Sequence, residues 1–220
     1  MHNNQYYKNA ALEALKGNWA PALVSTIVFF ALAALIVAGQ TVSQLFQLSQ
    51  TAILAVLAAV YILYFLLLYP AMVGYMNAFR ALYENGDNKL TSNTFRFGFG
   101  NWSHVAWGYF LMFVKTLLWS LLFIVPGIIK SFAYILTPYI LVEHPEMKAI
   151  DAIHRSQDMM RGHKFDYFYL GLSFIGWAFL SIFTLGLGFL WLLPYMMTTM
   201  AAFYNDLKAE NGEMINEAGL

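Results

Sequence analysis

The chain has 220 residues, of which 60% are hydrophobic and only 11% are charged. With a mean hydropathy of +0.57, this composition excludes an ordinary soluble domain and indicates an all-α integral membrane protein. Twelve basic and twelve acidic side chains give no net charge and cysteine is absent, so we expect no nucleic-acid partner and no disulfide or thiolate metal site.

The N-terminal residues, 1–19, are predicted to form a cytoplasmic amphipathic segment, in which Leu12 and Leu15 lie among polar residues. The next segment, 20–38, is uncharged and long enough to cross a hydrocarbon core of about 30 Å as a helix. It is the first of six predicted transmembrane helices. The helices form three hairpins in a single domain, 20–205, with hairpins at about 20–79, 103–142 and 167–205, and an acidic cytoplasmic tail at 206–220.

The fourth helix, 128–142, is shorter than the others. Pro126-Gly127 is predicted to form the turn before it, and only 15 residues lie between that turn and Glu143. A helix of 15 residues spans about 22 Å, which is less than the hydrocarbon core. Five spans with a re-entrant segment at this point therefore stay open as the alternative to six. The last hairpin is predicted to turn near Gly186 and Gly188.

The basic residues predict the orientation, because cytoplasmic loops carry an excess of Lys and Arg. Outside the spans, every Lys and Arg falls before the first helix, between the second and third, between the fourth and fifth, or after the sixth. The opposite connections, 40–51, 126–127 and near 186, carry no charge. Both termini are therefore expected in the cytoplasm.

The three hairpins resemble one another. Gly17-Asn18-Trp19 begins the first helix, Gly100-Asn101-Trp102 begins the third, and Gly162-His163-Lys164-Phe165 precedes the fifth. Glu84-Asn85-Gly86 and Glu210-Asn211-Gly212 follow the second and sixth helices. We predict three copies of one unit. Coincidence is the alternative, because Gly, Asn and Trp favour membrane interfaces and Pro is common in membrane helices.

Each return helix contains a proline in its cytoplasmic half, at Pro70, Pro138 and Pro194. Proline lacks an N–H group and frees the carbonyl four residues earlier. We therefore predict three kinks, with freed carbonyls at Leu66, Tyr134 and Leu190. The kinks either surround a polar cleft, as unwound helices do in transporters, or only set the packing angles.

Lys115 and Lys130 are the two charged residues within the predicted spans, where an ionisable group is costly and often functional. Lys130 is predicted at the start of the fourth helix, where free N–H groups and the helix dipole favour an anion such as a lipid phosphate. Snorkelling to the interface is the alternative. Lys115 is expected to face protein or water, with Tyr134, Ser131 or Tyr139 as candidate partners, at a depth about 10 Å from that of Lys130. The predicted ligand-binding residues are Lys115, Lys130, Ser131 and Tyr134.

The segment 143–166 is predicted to contain a helix lying on the bilayer surface, because it has a mostly apolar stripe at helical spacing. The stripe consists of Ala149, Ile150, Ile153, Gln157 and Met160. The histidines of this segment lack the spacing of a metal-binding motif, so we expect no metal or other cofactor. No nucleophile-elbow or phosphate-loop motif occurs in the chain, and we expect no enzyme.

Several strings resemble one bacterial family of membrane proteins, the family catalogued as domain of unknown function 975. They are Ala14 to Trp19, Val125 to Ser131, Thr137 to Tyr139, Ser156 to Lys164, Phe174 to Trp177, and Pro194-Tyr195 with Ala202 to Tyr204. The resemblance implies a location in the bacterial inner membrane and brings no established activity or catalytic residue.

Three functions are compatible with the sequence. The first is a non-enzymatic protein that binds membrane lipids, a partner membrane protein or a second copy of itself. It is favoured by the amphipathic segments and the minimal external surface. The second is a small transporter or exporter of an anionic or amphipathic solute, and the third is an enzyme acting on lipid head groups.

Overall fold

A computed structural model of the chain describes the backbone of residues 2–45 and 49–217, and their side chains except those of 35–45, 122 and 213–217. These residues form helices and connecting turns, with no strand among them. The helices are α1 (Asn4–Leu15), α2 (Trp19–Leu45), α3 (Gln50–Leu63), α4 (Tyr69–Asn85), α5 (Leu90–Phe99), α6 (Trp102–Leu122), α7 (Ile124–Ala133), α8 (Thr137–Glu143), α9 (Ala149–Met159), α10 (Lys164–Leu172), α11 (Ile175–Phe183) and α12 (Phe189–Glu217).

Three helical segments in the described part of the chain are long and apolar enough to cross a membrane: Gln50–Asn85, Ile124–Glu143 and Lys164–Phe183. The axes of α1 and the first part of α2 are bent by 98° relative to each other. If these two helices together form one span, the number of candidate spans is four. By length and composition these segments indicate a membrane protein.

The connection between the third and fourth predicted helices differs from the prediction. Phe123 alone separates α6 from α7 and has an extended backbone, with φ −158° and ψ 142°. Pro126 and Gly127 lie inside α7, so the predicted turn at these residues is wrong. Proline is tolerated in the first turn of a helix because the N–H groups there have no intrahelical partner. The earlier start gives Ile124–Glu143 20 residues, about 30 Å of helix.

The last predicted turn lies where the sequence places it. Residues 184–188 form turns between α11 and α12, and Gly186 has a positive φ of 87°. This backbone conformation is readily adopted only by glycine. The turn near Gly186 is confirmed.

The prolines have different surroundings. Pro70 lies in the first turn of α4, directly after a π-helical segment, Tyr64–Leu68. The freed carbonyl of Leu66 accepts a hydrogen bond of 2.8 Å from the indole of Trp102. Pro138 is the second residue of α8, which follows a break after α7. Pro194 lies inside α12, which continues through it.

The N-terminal helix α1 packs against α12. Tyr7, Ala11 and Leu15 are its buried residues, whereas Leu12 is 44% exposed. Leu15 therefore packs in the core, whereas Leu12 does not. The Tyr7 hydroxyl donates to the carboxylate of Asp206 on α12. Burial alone would raise the pKa of Asp206, but hydrogen bonds from Tyr7 and His2 outweigh it and hold this pKa below its usual value.

The repeated strings share only part of their geometry. Gly17 and Gly162 have positive φ values of 81° and 91°, whereas Gly100 is right-handed with φ −61°. Gly86 ends α4 in the left-handed conformation, but Gly212 lies inside α12. The predicted stop at Gly212 is wrong, and the internal repeat stays a prediction.

Candidate functional site

Lys115 lies in the middle of α6, and its side chain reaches α9. Its Nζ atom is 3.2 Å from Nε2 of His154. When Lys115 is charged it has donors only, so the imidazole nitrogen is then the acceptor and the histidine proton is on Nδ1. This partner was not predicted, since the expected partners were Tyr134, Ser131 or Tyr139.

Lys130 on α7 reaches the same helix, α9. Its Nζ atom donates to the side-chain oxygen of Gln157 at 3.3 Å and lies 5.0 Å from the ring centre of Trp119 and 5.9 Å from that of Tyr134. Such positions over aromatic rings favour a cation. Lys130 belongs to the last turn of α7, so its predicted position at the start of a helix is wrong. The reason is that α7 begins at Ile124.

The two lysines are therefore joined through α9. Their partners, His154 and Gln157, are three residues apart and so lie on neighbouring turns of one helix face. Among the described side chains, no carboxylate forms a salt bridge with either lysine. On α9 itself, Asp158 pairs with Arg161 at 2.8 Å. The result is a pair of ammonium groups with polar neighbours but no counter-ion in this part of the chain.

Helix α9 is held in this position by its buried face. Ser156 is fully buried; its hydroxyl donates to the carbonyl of Ala133 at 2.9 Å and accepts from the backbone N–H of Leu136 at 3.2 Å. These two backbone groups lie on either side of the break between α7 and α8. In the predicted stripe, Ala149, Ile153 and Met160 are buried, while Ile150 and Gln157 are only partly buried. The apolar face therefore packs against protein, mainly α6 and α8.

A cavity of about 330 Å³ lies close to Lys130, because its wall includes Tyr134, whose ring centre is 5.9 Å from Nζ of Lys130. Two predicted site residues, Ser131 and Tyr134, line it, as does Thr116, the neighbour of Lys115. The other walls come from α4, α6, α8, α10, α12, and the segments next to them, and are rich in methionine and aromatic rings. They are Tyr69, Met72, Met76, Tyr109, Met112, Phe113, Ile135, Pro138, Tyr167, Met197 and Met200. Ser131 and Tyr134 thus lie in the cavity wall, whereas Lys115 and Lys130 do not line the cavity and contact α9.

A second polar cluster was not predicted. Arg80 on α4 is only 7% exposed, and its Nη1 atom lies 3.2 Å from Glu84 and 3.4 Å from Glu143 at the end of α8. Glu143 also accepts from Tyr204 and Lys208 of α12. The charges of this cluster balance, so it joins three helices rather than presenting a free charge. The i,i+4 spacing of Arg80 and Glu84 was the available sequence signal.

Comparison with known proteins gives one match. A family model described as "Protein of unknown function (DUF975)" matches residues 90–211, more than half of the chain. The matched residues include both lysines, all of α9 and most of the cavity wall. No curated protein and no solved structure gives a significant match.

Proposed function

The chain belongs to the DUF975 family of proteins of unknown function, and because that description names no activity, we propose a function from the site itself. The protein is a non-enzymatic membrane protein that binds the head group of an anionic lipid at Lys115 and Lys130. The observation that carries this proposal is that both lysines meet on one face of α9 with no carboxylate partner among the described residues.

The two lysine charges need a negatively charged partner. A charged lysine inside an apolar region is costly, and a second lysine nearby adds repulsion. Gln157 offers a neutral oxygen and Trp119 an aromatic ring, but neither neutralises a positive charge. A phosphate group between the ammonium groups supplies the counter-charge and accepts their free N–H donors. Membrane lipids are the abundant source of phosphate at this location.

The proposed setting is the inner membrane of a bacterium, with six spans and both termini in the cytoplasm. What supports six spans is that each predicted span corresponds to helical segments in the described residues, namely α2, α3 with α4, α6, α7 with α8, α10 with α11, and α12. The distribution of Lys and Arg supports the orientation.

Native mass spectrometry of the protein in mild detergent tests the proposal. The wild type is expected to retain anionic lipid, and Lys115→Ala and Lys130→Ala are each expected to reduce retention about tenfold, because a hydrogen bond to a charged group contributes about 1.5–3 kcal/mol. Lys148→Ala is the matched control, since Lys148 is exposed and lies just before α9. Equal retention in all four proteins would contradict the proposal.

A transporter of an anionic or amphipathic solute is the second candidate. The observation in its favour is the cavity close to Lys130, since the wall of this cavity includes Pro138 at the start of α8, next to the break between α7 and α8. In vesicles containing the purified protein, this function predicts lipid or solute movement across the bilayer that Lys115→Ala abolishes. Lipid retention without such movement would favour binding alone.

A further inference from the structure

We infer that the site takes an amphiphile with a phosphomonoester head group, which binds Lys115 and Lys130 while one of its apolar chains enters the adjoining 330 Å³ cavity. This inference rests on the proposed function and adds the chemical class of the ligand to it.

The head group is inferred from the number of charges. Two lysine ammonium groups face α9 without a carboxylate among the described residues. A phosphodiester carries one negative charge, whereas a phosphomonoester carries about −1.5 to −2 near pH 7 and has three terminal oxygens. The monoester therefore neutralises both lysines. Its third oxygen can accept from the amide NH₂ of Gln157, since only the amide oxygen of that residue is used by Lys130.

The lysine pair adjoins the cavity at Tyr134. Neither lysine lines the cavity, but Tyr134 does, and its ring centre is 5.9 Å from Nζ of Lys130. A molecule whose phosphate binds the lysines can therefore place an apolar chain past Tyr134 and into the cavity.

The wall favours an apolar chain over a polar solute. The hydroxyl of Thr116 donates to the carbonyl of Met112 at 2.8 Å, and that of Ser131 donates to the carbonyl of Ile128 at 2.7 Å. Both hydroxyl protons are thus used within their own helices. Five methionines line the same space, and methionine adapts its flexible side chain to irregular apolar contacts. A flexible hydrocarbon chain fits these properties.

Three ligands separate the parts of this inference when native mass spectrometry is performed on the full-length protein. Phosphatidic acid has the monoester and the chains, phosphatidylglycerol with the same chains has a diester, and glycerol 3-phosphate has the monoester without chains. Near pH 7, the wild type is expected to bind phosphatidic acid about tenfold more tightly than phosphatidylglycerol, since one further charge-assisted contact is made. Glycerol 3-phosphate is expected not to displace phosphatidic acid.

The variants distinguish the inference from the proposed function. In Lys115→Gln and in Lys130→Gln, the affinities for the two lipids are expected to differ by no more than about threefold. The reason is that the single charge of the diester already neutralises the one ammonium group that remains. Lys148→Gln is expected to keep the tenfold preference. Equal binding of both lipids that still depends on the lysines would overturn the monoester inference and leave the proposed function standing. Binding of both lipids that ignores the lysines would overturn both, and displacement by glycerol 3-phosphate would overturn the chain in the cavity.

Discussion

Ser156 is the residue on which the position of α9 depends most directly. Its buried hydroxyl contacts the carbonyl of Ala133 and the N–H of Leu136, the two ends of the break between α7 and α8. Ser156→Ala leaves two buried backbone groups without this partner, and each unsatisfied group costs about 1–3 kcal/mol. We expect a lower unfolding temperature in detergent, measured by circular dichroism, together with weaker lipid retention because α9 holds the lysine partners.

The control for this substitution is Ser92→Ala, which changes an exposed serine in the first turn of α5. It is expected to leave the unfolding temperature unchanged, since exposed substitutions away from special features have effects within about 0.5 kcal/mol. An equal response of the two variants would show that the hydroxyl of Ser156 does not stabilise the break.

At the residue scale, the sequence identifies the lysines but not their partners. Lys115 and Lys130 stand out because each is a charge in an apolar stretch, which is a local property. His154 and Gln157 are 39 and 27 residues away from them. Their contacts depend on α9 folding back against α6, and no local pattern contains that information.

At the scale of elements, two hairpins are closed by the same contact. Gly127 on α7 faces Ser120 on α6, and a Cβ atom at residue 127 would lie 2.8 Å from the Cα atom of Ser120. Gly188 faces Ser181 in the same way, again at 2.8 Å from Cα. Each serine precedes its glycine by seven residues. This shared spacing supports the predicted repeat for the second and third hairpins.

Gly127→Ala is therefore expected to force α6 and α7 apart. Overpacking of this kind costs about 1–3 kcal/mol, which exceeds the gain of about 0.5–1 kcal/mol from replacing glycine by alanine in a helix. Thermal unfolding of the variant in detergent checks this. Gly171→Ala is the matched control, because a Cβ atom there meets nothing within 4 Å and residue 171 lies in α10. It is expected to be neutral or slightly stabilising, and a stable Gly127→Ala protein would contradict the close contact.

The sequence predicts the helices better than their interruptions. The lengths of the apolar stretches predict the helical segments. Gly186 correctly predicts a turn, because its positive φ strongly favours glycine. Pro126-Gly127 has the same appearance in the sequence, yet it lies inside α7. There Gly127 allows α7 to pack closely against Ser120, and Pro126 lies in the first turn of the helix. The two roles of glycine cannot be separated without knowing the neighbouring helix.

At the scale of the whole molecule, the amino-acid composition predicts a membrane protein, and the Lys and Arg residues of the loops predict its orientation. The alternative of five spans depends on one place, the connection at Phe123, which is 71% exposed. If Ile124–Glu143 crosses the membrane, Phe123 lies at the surface opposite to the cytoplasm. If the segment is re-entrant, the chain does not cross back after Phe123, so Lys148 lies on that same outer surface and Leu185 lies in the cytoplasm. The natural absence of cysteine allows this difference to be measured directly.

Single cysteines labelled with a membrane-impermeant maleimide in intact cells make that measurement. With six spans, Ser49→Cys, Phe123→Cys and Leu185→Cys are expected to react from outside, because all three positions are exposed and lie in connections without charge. Asn88→Cys and Lys148→Cys are expected to react only after the cells are permeabilised, since basic loops stay in the cytoplasm. Labelling of residues 49, 123 and 148 from outside, but not of residue 185, would leave five spans and a re-entrant Ile124–Glu143 segment. In that case Lys130 lies in a loop within the membrane, and the lipid site opens toward the outer leaflet. Labelling of residues 49, 123 and 185 without residue 148 places the lysine pair between two complete spans, so that a bound lipid enters from the side, between α7 and its neighbours.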